Sequence, residues 1–494
     1  MRRLITALIL GISLVGWSVP ARAYTHQYTD SPASLQIKWP STIVTVAFST
    51  SLSQPPSNIK AGSDVLGAVR RALAHWSQNS NIRFIETTSR AQSISPSGSG
   101  DSVSLISVAD TPENRAVFGT DQVRTGRTRV FFNPDSGAIT EADVIINPNL
   151  QFSTDSTPGT YDLEATLTHE LGHLLGLEHS TVTGATMQPR QGQNGLYGQP
   201  ALTPRTLSDD DRAGIRALYG PHDGLGAIAG TISLETLSYG AHVWAENVAT
   251  GQITEGNVKF ANGTFRIEGL QPGDYRVVAE PLDGTVSPSE SASTRGVYAG
   301  LAATQPRFRS IELASSLSVA ANTTTQFNAV VASSDAPTIN PRLFGINSQL
   351  STIPVPLAPG NTYKLYIGGE GLDRVQAAGV TISSPHFTIK RDTFTQQDFG
   401  IGVPVITFDV TIDESAPAGD YSIEFVATGD EIAHLSGALT IDSPQALAQP
   451  NTVDDARLFV SQHHPDFFNT GAQPVALETD FLLLLPDILL EWAQ

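Results

Sequence analysis

The first half of the chain alternates between two hydrophobic periods, which predicts a region that mixes strands with helices. Apolar and β-branched residues run from Thr42 to Ser49, as in a strand. Helical spacing follows from Val65 to Trp76, behind Ser63 as the expected N-cap. Strand patterns then recur at 82–86, 103–108, 128–132 and 142–146. This alternation predicts an α+β domain.

Helical periodicity returns from Tyr161 to Leu175, where leucines form one face. His169 and His173 fall off that face, so we expect them not to point into the core. A last helix is expected behind Ser208 and ends near Gly220. Its acidic residues 209–211 suit the positive end of the helix dipole, with a calcium ligand as the alternative interpretation.

Beyond Pro221 the pattern changes to short alternating strands separated by Gly, Pro and Asn turns, which is typical of β-sandwiches. We divide this part into residues 223–332 and 333–442. A Gly-Asp-Tyr turn at 273–275 is echoed at 419–421, an echo too brief to define a repeat. Residues 443–494 form a tail for which the pattern predicts no fold.

The N-terminus predicts a secretory signal peptide over residues 1–23. Arg2 and Arg3 precede an apolar run from Leu4 to Trp17, and the small-residue triplet 21–23 forms a cleavage site before Tyr24. A retained membrane anchor is the alternative, but the run is shorter than the ~20 residues that span hydrocarbon. We therefore expect a secreted, extracellular protein with no transmembrane anchor after cleavage.

The net charge and the cysteine content exclude several classes of function. The 494 residues carry a net charge of −19, which argues against a nucleic-acid or anionic-membrane partner because phosphate binding needs a positive field. The chain has 0 cysteines, which excludes disulfides, thiolate zinc ligands and a cysteine nucleophile.

The segment from His169 to His179 carries the chemistry. His169 and His173 are four residues apart, so both imidazoles can face one Zn²⁺, and Glu170 between them can reach a water on that ion. Gly176 can adopt the positive φ that ends a helix and turns the chain, which brings His179 to the ion from another direction. Three nitrogen ligands leave the fourth tetrahedral position open, as in catalytic zinc sites.

This segment resembles the metzincin zinc peptidases and, within them, the matrixins (the matrix metalloproteinase type). The resemblance rests on the histidine motif, on Ser180 after the third histidine, on Met187-Gln188-Pro189 and on the closing helix from Leu207 to Gly220. It covers residues 37–220. Residues 223–332 resemble carboxypeptidase-regulatory-like modules, and residues 333–442 an Ig-like sandwich.

The resemblance implies a multidomain protein: a metzincin catalytic domain over 24–222, with a twisted mixed sheet and an active-site helix, then two β-sandwich domains. It implies that His169, His173 and His179 bind one catalytic zinc ion, that Glu170 is the general base, and that Met187 forms an apolar floor beneath the metal. A peptide substrate would extend along an edge strand, for which we favour Thr128 to Phe132.

Three departures from animal matrixins limit the resemblance. No histidine lies between His75 and His169, so a second, structural zinc has no ligands. Without cysteine there is no cysteine switch. Gln188 stands where other metzincins continue toward a metal-reaching tyrosine, although Tyr197 in the following loop leaves such an approach open. Calcium is implied by the resemblance, but scattered aspartates form no ligand string that would locate it.

The sequence therefore predicts a secreted zinc metalloendopeptidase that hydrolyses peptide bonds through a zinc-bound water activated by a glutamate. Its partners would be a protein or peptide substrate and, through the sandwiches, an extracellular matrix or cell-surface polymer. The alternative is a non-catalytic exported adhesion or structural protein with a relic peptidase domain. Cleavage specificity would depend on the loop from Pro189 to Thr206.

Overall fold

A computed structural model describes residues 25–30, 34–199, 205–233, 240–282, 284–286, 290, 296–301, 308–331 and 336–442. The predicted signal peptide and the tail at 443–494 lie outside the described residues. None of the helices in the described part of the chain combines the length and apolar character needed to cross a membrane.

The N-terminal region, residues 34–220, is built on a five-stranded sheet with helices. Its strands are β1 (Ile43–Ser49), β2 (Arg83–Ser89), β3 (Leu105–Ser107), β4 (Gly126–Phe132) and β5 (Ile139–Ile146), followed by the short pair β6 (Phe152–Ser153) and β7 (Tyr161–Asp162). The sheet order is β2-β1-β3-β5-β4, with only β4 antiparallel to its neighbour. The predicted strand at 128–132 is therefore at a sheet edge.

Four α-helices accompany this sheet in the described part of the region. They are α1 (Val65–Gln78), α2 (Pro112–Phe118), α3 (Leu163–Leu174) and α4 (Asp209–Tyr219). α3 packs against α1 and against β4 and β5, and one apolar core joins them. The amphipathic spacing of α1 buries Val65, Val69 and Trp76 in that core.

Two details of these helices differ from the prediction. The N-cap of α1 is Asp64 rather than Ser63, because the Asp64 carboxylate accepts a hydrogen bond from Gly67 N at 3.0 Å. Helix α2 has no counterpart in the hydrophobic pattern, since seven residues are too few to display a helical period. Thr111 caps α2 and Pro112 starts it, a local signal that the periodicity does not contain.

The middle sandwich, residues 226–331, packs two sheets around a separate core. Its strands are β8 (Gly226–Ser233), β9 (Ala241–Asn247), β10 (Ile253–Val258), β11 (Thr264–Leu270), β12 (Gly273–Pro281), β13 (Ile311–Val319), β14 (Thr324–Gln326) and β15 (Ala329–Val330). One sheet has the order β10-β9-β12-β13, and the other has β11-β8-β14 with β15 beside β8. Ile228, Val243 and Phe265 meet between them.

The C-terminal sandwich, residues 336–442, repeats this architecture. Its strands are β16 (Asn340–Ile346), β17 (Val355–Pro356), β18 (Thr362–Glu370), β19 (Val375–Ile382), β20 (Phe387–Gln397), β21 (Val405–Ile412), β22 (Gly419–Ala427) and β23 (Ile432–Ile441). The sheets have the orders β16-β18-β21-β20 and β17-β23-β22-β19. The domain limits that we predict from the sequence, 24–222, 223–332 and 333–442, stay predictions.

The Gly-Asp-Tyr echo has a structural meaning. Tyr275 and Tyr421 both lie near the start of a strand, and each hydroxyl donates to a carbonyl four residues upstream, Gln271 O and Pro417 O respectively, at 2.7 Å. Both hydroxyls serve as tyrosine corners, which close the turn into the strand.

The two sandwiches meet through a buried group of charges. His434 Nε2 lies 3.2 Å from Glu424, and its Nδ1 lies 3.6 Å from Glu280 of the middle sandwich, beyond hydrogen-bond distance but within ion-pair range. Arg276 of the middle sandwich also pairs with Glu424. Burial would raise the pKa of Glu280, but the hydrogen bond from His242 and the nearby charge of His434 outweigh it and hold that pKa at about 2.

The same contacts also shift the pKa values of Glu424 and His434. The hydrogen bond from His434, against an opposing effect of burial, lowers the pKa of Glu424 to about 2. Burial would lower the pKa of His434, yet its two carboxylate neighbours raise it above the usual value. The carboxylates therefore stabilise the junction above their unfolded pKa, near 4.3, and His434 does so below about 6.5.

We expect the stabilisation from His434 to be lost as pH rises through its folded pKa, because the neutral imidazole no longer attracts the carboxylates. In His434→Gln the thermal midpoint should therefore fall less between about pH 6 and pH 9 than in the unaltered chain. The exposed His222→Gln variant is the matched control. Parallel pH profiles for all three proteins would contradict this role for His434.

Candidate metal centre

Helix α3 is anchored at its N-cap by a buried ion pair. Asp162, the N-cap, accepts a hydrogen bond from Ala165 N at 3.0 Å, and its other oxygen accepts from Arg205 Nε at 2.9 Å. The side chains of Asp162 and Arg205 are 1% and 7% exposed. Both oxygens of the Asp162 carboxylate thus accept hydrogen bonds. These bonds fix the start of α3, the helix that carries two of the candidate ligands.

The three predicted histidines converge. His169 and His173 lie on α3, after which Gly176 takes φ +95° and turns the chain toward His179. A Cβ at Gly176 would lie 2.3 Å from the carbonyl oxygen of Ile37, so no larger residue fits. One ligand atom of each imidazole lies within 4.8 Å of the others, close enough to hold a metal ion.

A backbone carbonyl orients each imidazole. The Nδ1 atoms of His169, His173 and His179 lie 2.7, 2.9 and 2.8 Å from the carbonyl oxygens of Thr186, Leu177 and Glu290 respectively. A carbonyl can only accept, so each Nδ1 carries the proton and each Nε2 keeps a lone pair. Three neutral imidazoles with free Nε2 atoms are the donor set that zinc takes, so the residues present fit the ion.

Electrostatics favour the neutral form of His173 and His179. Burial first, and the neighbouring histidines second, hold the pKa of His173 well below its usual value. The same causes lower the pKa of His179 to about 3. These two imidazoles can therefore bind a cation near neutral pH without first losing a proton.

Glu170 lies beside the triad and against the edge strand. It is 5% exposed, and its Oε2 lies 2.6 Å from Thr128 Oγ1. A Cβ on Gly126 would lie 2.6 Å from Glu170 Cγ, so the glycine leaves the space that this side chain fills. Burial is the main cause that raises the pKa of Glu170 above its usual value. A carboxylate with a raised pKa is suited to accept and return a proton.

Met187 lies fully buried against the helix that carries the histidines. A Cβ on Gly172 would lie 2.2 Å from Met187 Sδ and 2.9 Å from Trp76, so the small residue allows this close contact. Met187 N and Thr186 N both donate to the carboxylate of Asp211 on α4, at 3.1 and 2.7 Å. The turn Met187-Gln188-Pro189, which we call the methionine turn, is thereby fixed to the closing helix α4.

The acidic residues 209–211 do more than the helix-start electrostatics expected from the sequence. Asp211 forms a capping box with Ser208 and also holds the methionine turn. Asp210 is buried and accepts from Ser180 Oγ at 2.6 Å and from Gly256 N of the middle sandwich at 2.8 Å. Burial, with Asp211 second, raises the pKa of Asp210 to about 8.

The sequence left open that Tyr197 approaches the metal, and this alternative is wrong. The Tyr197 hydroxyl points into the C-terminal sandwich and not to the metal centre. The Tyr197 hydroxyl lies 2.9 Å from the carbonyl oxygens of Phe344 and Ile353 and 2.6 Å from Ser351 Oγ. The residue is fully buried in that sandwich's core. The loop that follows the methionine turn is therefore anchored by another part of the chain.

Sequence reasoning missed the residues that shape the site from outside the motif. Thr128 was predicted only as part of the edge strand that would bind substrate, and Gly126, Asp211 and Glu290 were not connected with the histidines. Gly172 lies inside the histidine motif, and the lack of a side chain there was the one signal in the sequence that another residue packs closely against it. In the described part of the chain the histidine triad alone groups three or more His, Cys, Asp or Glu side chains at metal-binding distance, so no calcium site is shown.

Comparisons with known proteins agree on a family. The family model described as Matrixin matches residues 38–220. The hatching enzyme of Paracentrotus lividus is 33% identical over 141 residues, 26% of this chain and 22% of that protein. Metalloendoproteinase 1 of Glycine max is 32% identical over 162 residues, 31% of this chain and 45% of that protein. The chain thus spans less than half the length of these curated relatives.

Among solved structures, the major pilin subunit of Bacillus cereus matches 44% of this chain and 69% of its own, with 14% identity and a TM-score of 0.14. A TM-score of that size supports no inference about shared fold or function. The family match therefore concerns the N-terminal region, which contains the histidine triad.

Tyr197→Phe should lower the free energy of unfolding by about 1–3 kcal/mol, because it leaves buried polar partners in the C-terminal sandwich without their hydrogen bond. Urea denaturation of the full chain measures this. Tyr366→Phe is the matched control, since among the described residues the Tyr366 hydroxyl makes one exposed hydrogen bond, 3.1 Å from Ser348 Oγ. Equal loss in the two variants would contradict the anchoring role of Tyr197.

Proposed function

We propose, from the premise that residues 38–220 form a matrixin domain, that this chain is a zinc metalloendopeptidase. The observation that carries the proposal is the set of three carbonyl-oriented imidazoles, whose Nε2 lone pairs are free beside the buried Glu170. A structural clamp for zinc would have no need of a carboxylate at that place.

His169, His173 and His179 would hold the ion, each oriented through its Nδ1–H. Zinc bound there would act as a Lewis acid that polarises the scissile carbonyl and acidifies the attacking water. Three protein ligands leave room for substrate, as in catalytic zinc sites. Met187 would make the region beneath the ligands apolar, since it is fully buried against α3.

Glu170 would take the proton from the attacking water and return it to the leaving amine. Burial raises its pKa, which increases its basicity, while Thr128 Oγ1 at 2.6 Å from Oε2 fixes the carboxylate's direction. Its place next to the triad and next to the edge strand would put the base close to both the metal and an extended substrate.

The substrate would be a peptide in extended conformation along β4. This strand pairs only with β5 within the described sheet, so its other side offers backbone donors and acceptors. A peptide that adds a strand there gains main-chain hydrogen bonds at every second residue, whatever its sequence. The scissile bond would then pass beside Glu170, because Thr128 of that edge strand contacts Glu170.

We further propose export through the signal peptide at residues 1–23, and attachment to an extracellular polymer by the sandwiches. The second candidate function is an exported adhesion protein with an inactive peptidase domain, favoured by the extent of the sandwich region. The two functions differ in one result: the peptidase cleaves denatured casein or gelatin, and the adhesion protein does not.

Glu170→Gln should lower kcat by about 10²- to 10⁴-fold and leave zinc content unchanged, because the amide cannot accept the proton but the three imidazoles remain. Casein cleavage and metal analysis of the same preparation measure the two effects. Glu113→Gln on the surface of α2 should match the unaltered chain in both. A Glu170→Gln variant as active as its control would rule out Glu170 as the base.

Gly126→Ala should also reduce kcat, by about 10²-fold, because the new methyl group overlaps Glu170 and displaces the carboxylate by about 1 Å. Gly98→Ala is the matched control, since a Cβ there meets no atom within 4 Å. Zinc content should stay the same in both variants. Unchanged cleavage by Gly126→Ala would show that the position of Glu170 is not critical.

A further inference from the structure

Three arginines cluster at the start of the edge strand, in a chain whose net charge is −19. They are Arg124, Arg127 and Arg129. Arg124 lies 3.5 Å from Asp121, and Arg129 donates to the carbonyl of Ser95. Arg127 is exposed and makes no side-chain hydrogen bond or ion pair with the described part of the chain. Its charge is thus available to a ligand.

Arg127 lies next to the residues that contact the proposed base. Gly126 and Thr128, its two neighbours on β4, both approach Glu170. The guanidinium also acts electrostatically on the carboxyls of Glu170 and Glu178 and on the imidazoles of His173 and His179. A positive charge is therefore present along the path that a peptide on β4 would follow.

Strand geometry says which substrate side chain would meet this charge. Side chains alternate along a strand, so Arg127 leaves β4 on the face opposite to Gly126 and Thr128. In a peptide added to the edge, the residue directly opposite Arg127 directs its side chain to the same face, with Cβ atoms ~5 Å apart. Glutamate or aspartate at that position would pair with the guanidinium, and lysine would be repelled.

We propose that Arg127 is a specificity-determining residue that selects peptide substrates with an acidic side chain opposite it on the edge strand. This inference rests on the proposed peptidase function. A cross-strand pair of opposite charge at an exposed site should favour the acidic substrate by about 1.5- to 5-fold in kcat/KM. Salt screens exposed charges, so the preference should fade as ionic strength rises from about 0.05 M to about 1 M.

The experiment uses the full chain and a set of fluorogenic peptides in which Gln, Glu or Lys occupies one position at a time on either side of the cleaved bond. At one position the unaltered protein should cleave the Glu peptide fastest and the Lys peptide slowest. Arg127→Gln should bring the Glu-to-Gln ratio at that position to one. Arg83→Gln, which removes an exposed arginine from the opposite edge strand β2, should keep the ratio.

Two results would overturn the inference alone: cleavage of the Gln peptides without a Glu preference at any position, or a preference that persists in Arg127→Gln. The arginines would then serve only to prevent the edge strand from pairing with other chains. Absence of cleavage in every peptide, Gln peptides included, would instead overturn the proposed peptidase function.

Discussion

The structure of the candidate metal centre depends on three hydrogen bonds from imidazole Nδ1–H groups to backbone carbonyls. These bonds select the tautomer, and the tautomer leaves each Nε2 free for a cation. The carbonyls come from three places: the turn after α3 at Leu177, Thr186 directly before the methionine turn, and Glu290 of the middle sandwich. A change in any of these segments would rotate a ring, so the centre depends on parts of the chain far apart in sequence.

This dependence makes the sandwiches part of the site's support. Besides the bond from His179, Arg190 after the methionine turn pairs with Glu290 and donates to the carbonyl of Thr285. The same loop continues to Tyr197, which lies in the core of the C-terminal sandwich. The two sandwiches are in turn joined through Arg276 and His434. A preorganised centre gains from such restraint, since ligands and base are held before substrate arrives.

The sequence pattern located most of the N-terminal elements to within a few residues, because α1 buries one regular face, α4 begins behind a capping serine, and the strands are rich in apolar and β-branched residues. It failed at α2, too short to show a period, and at the N-cap of α1, where Ser63 and Asp64 are both good caps and only the backbone chooses between them. Among residues at the site, Gly126 and Thr128 were missed because their role appears only when β4 lies against α3.

The sequence by itself determined which side chains can perform the chemistry, because a four-residue spacing on a helix and a glycine turn bring His169, His173 and His179 together by local geometry alone. Tertiary structure decided how those side chains are used. The carbonyl that orients His179 lies 111 residues away, and the hydroxyl of Tyr197 finds its partners about 150 residues away in another core. Such contacts depend on how separate regions pack, and packing between regions leaves no periodic trace in the sequence.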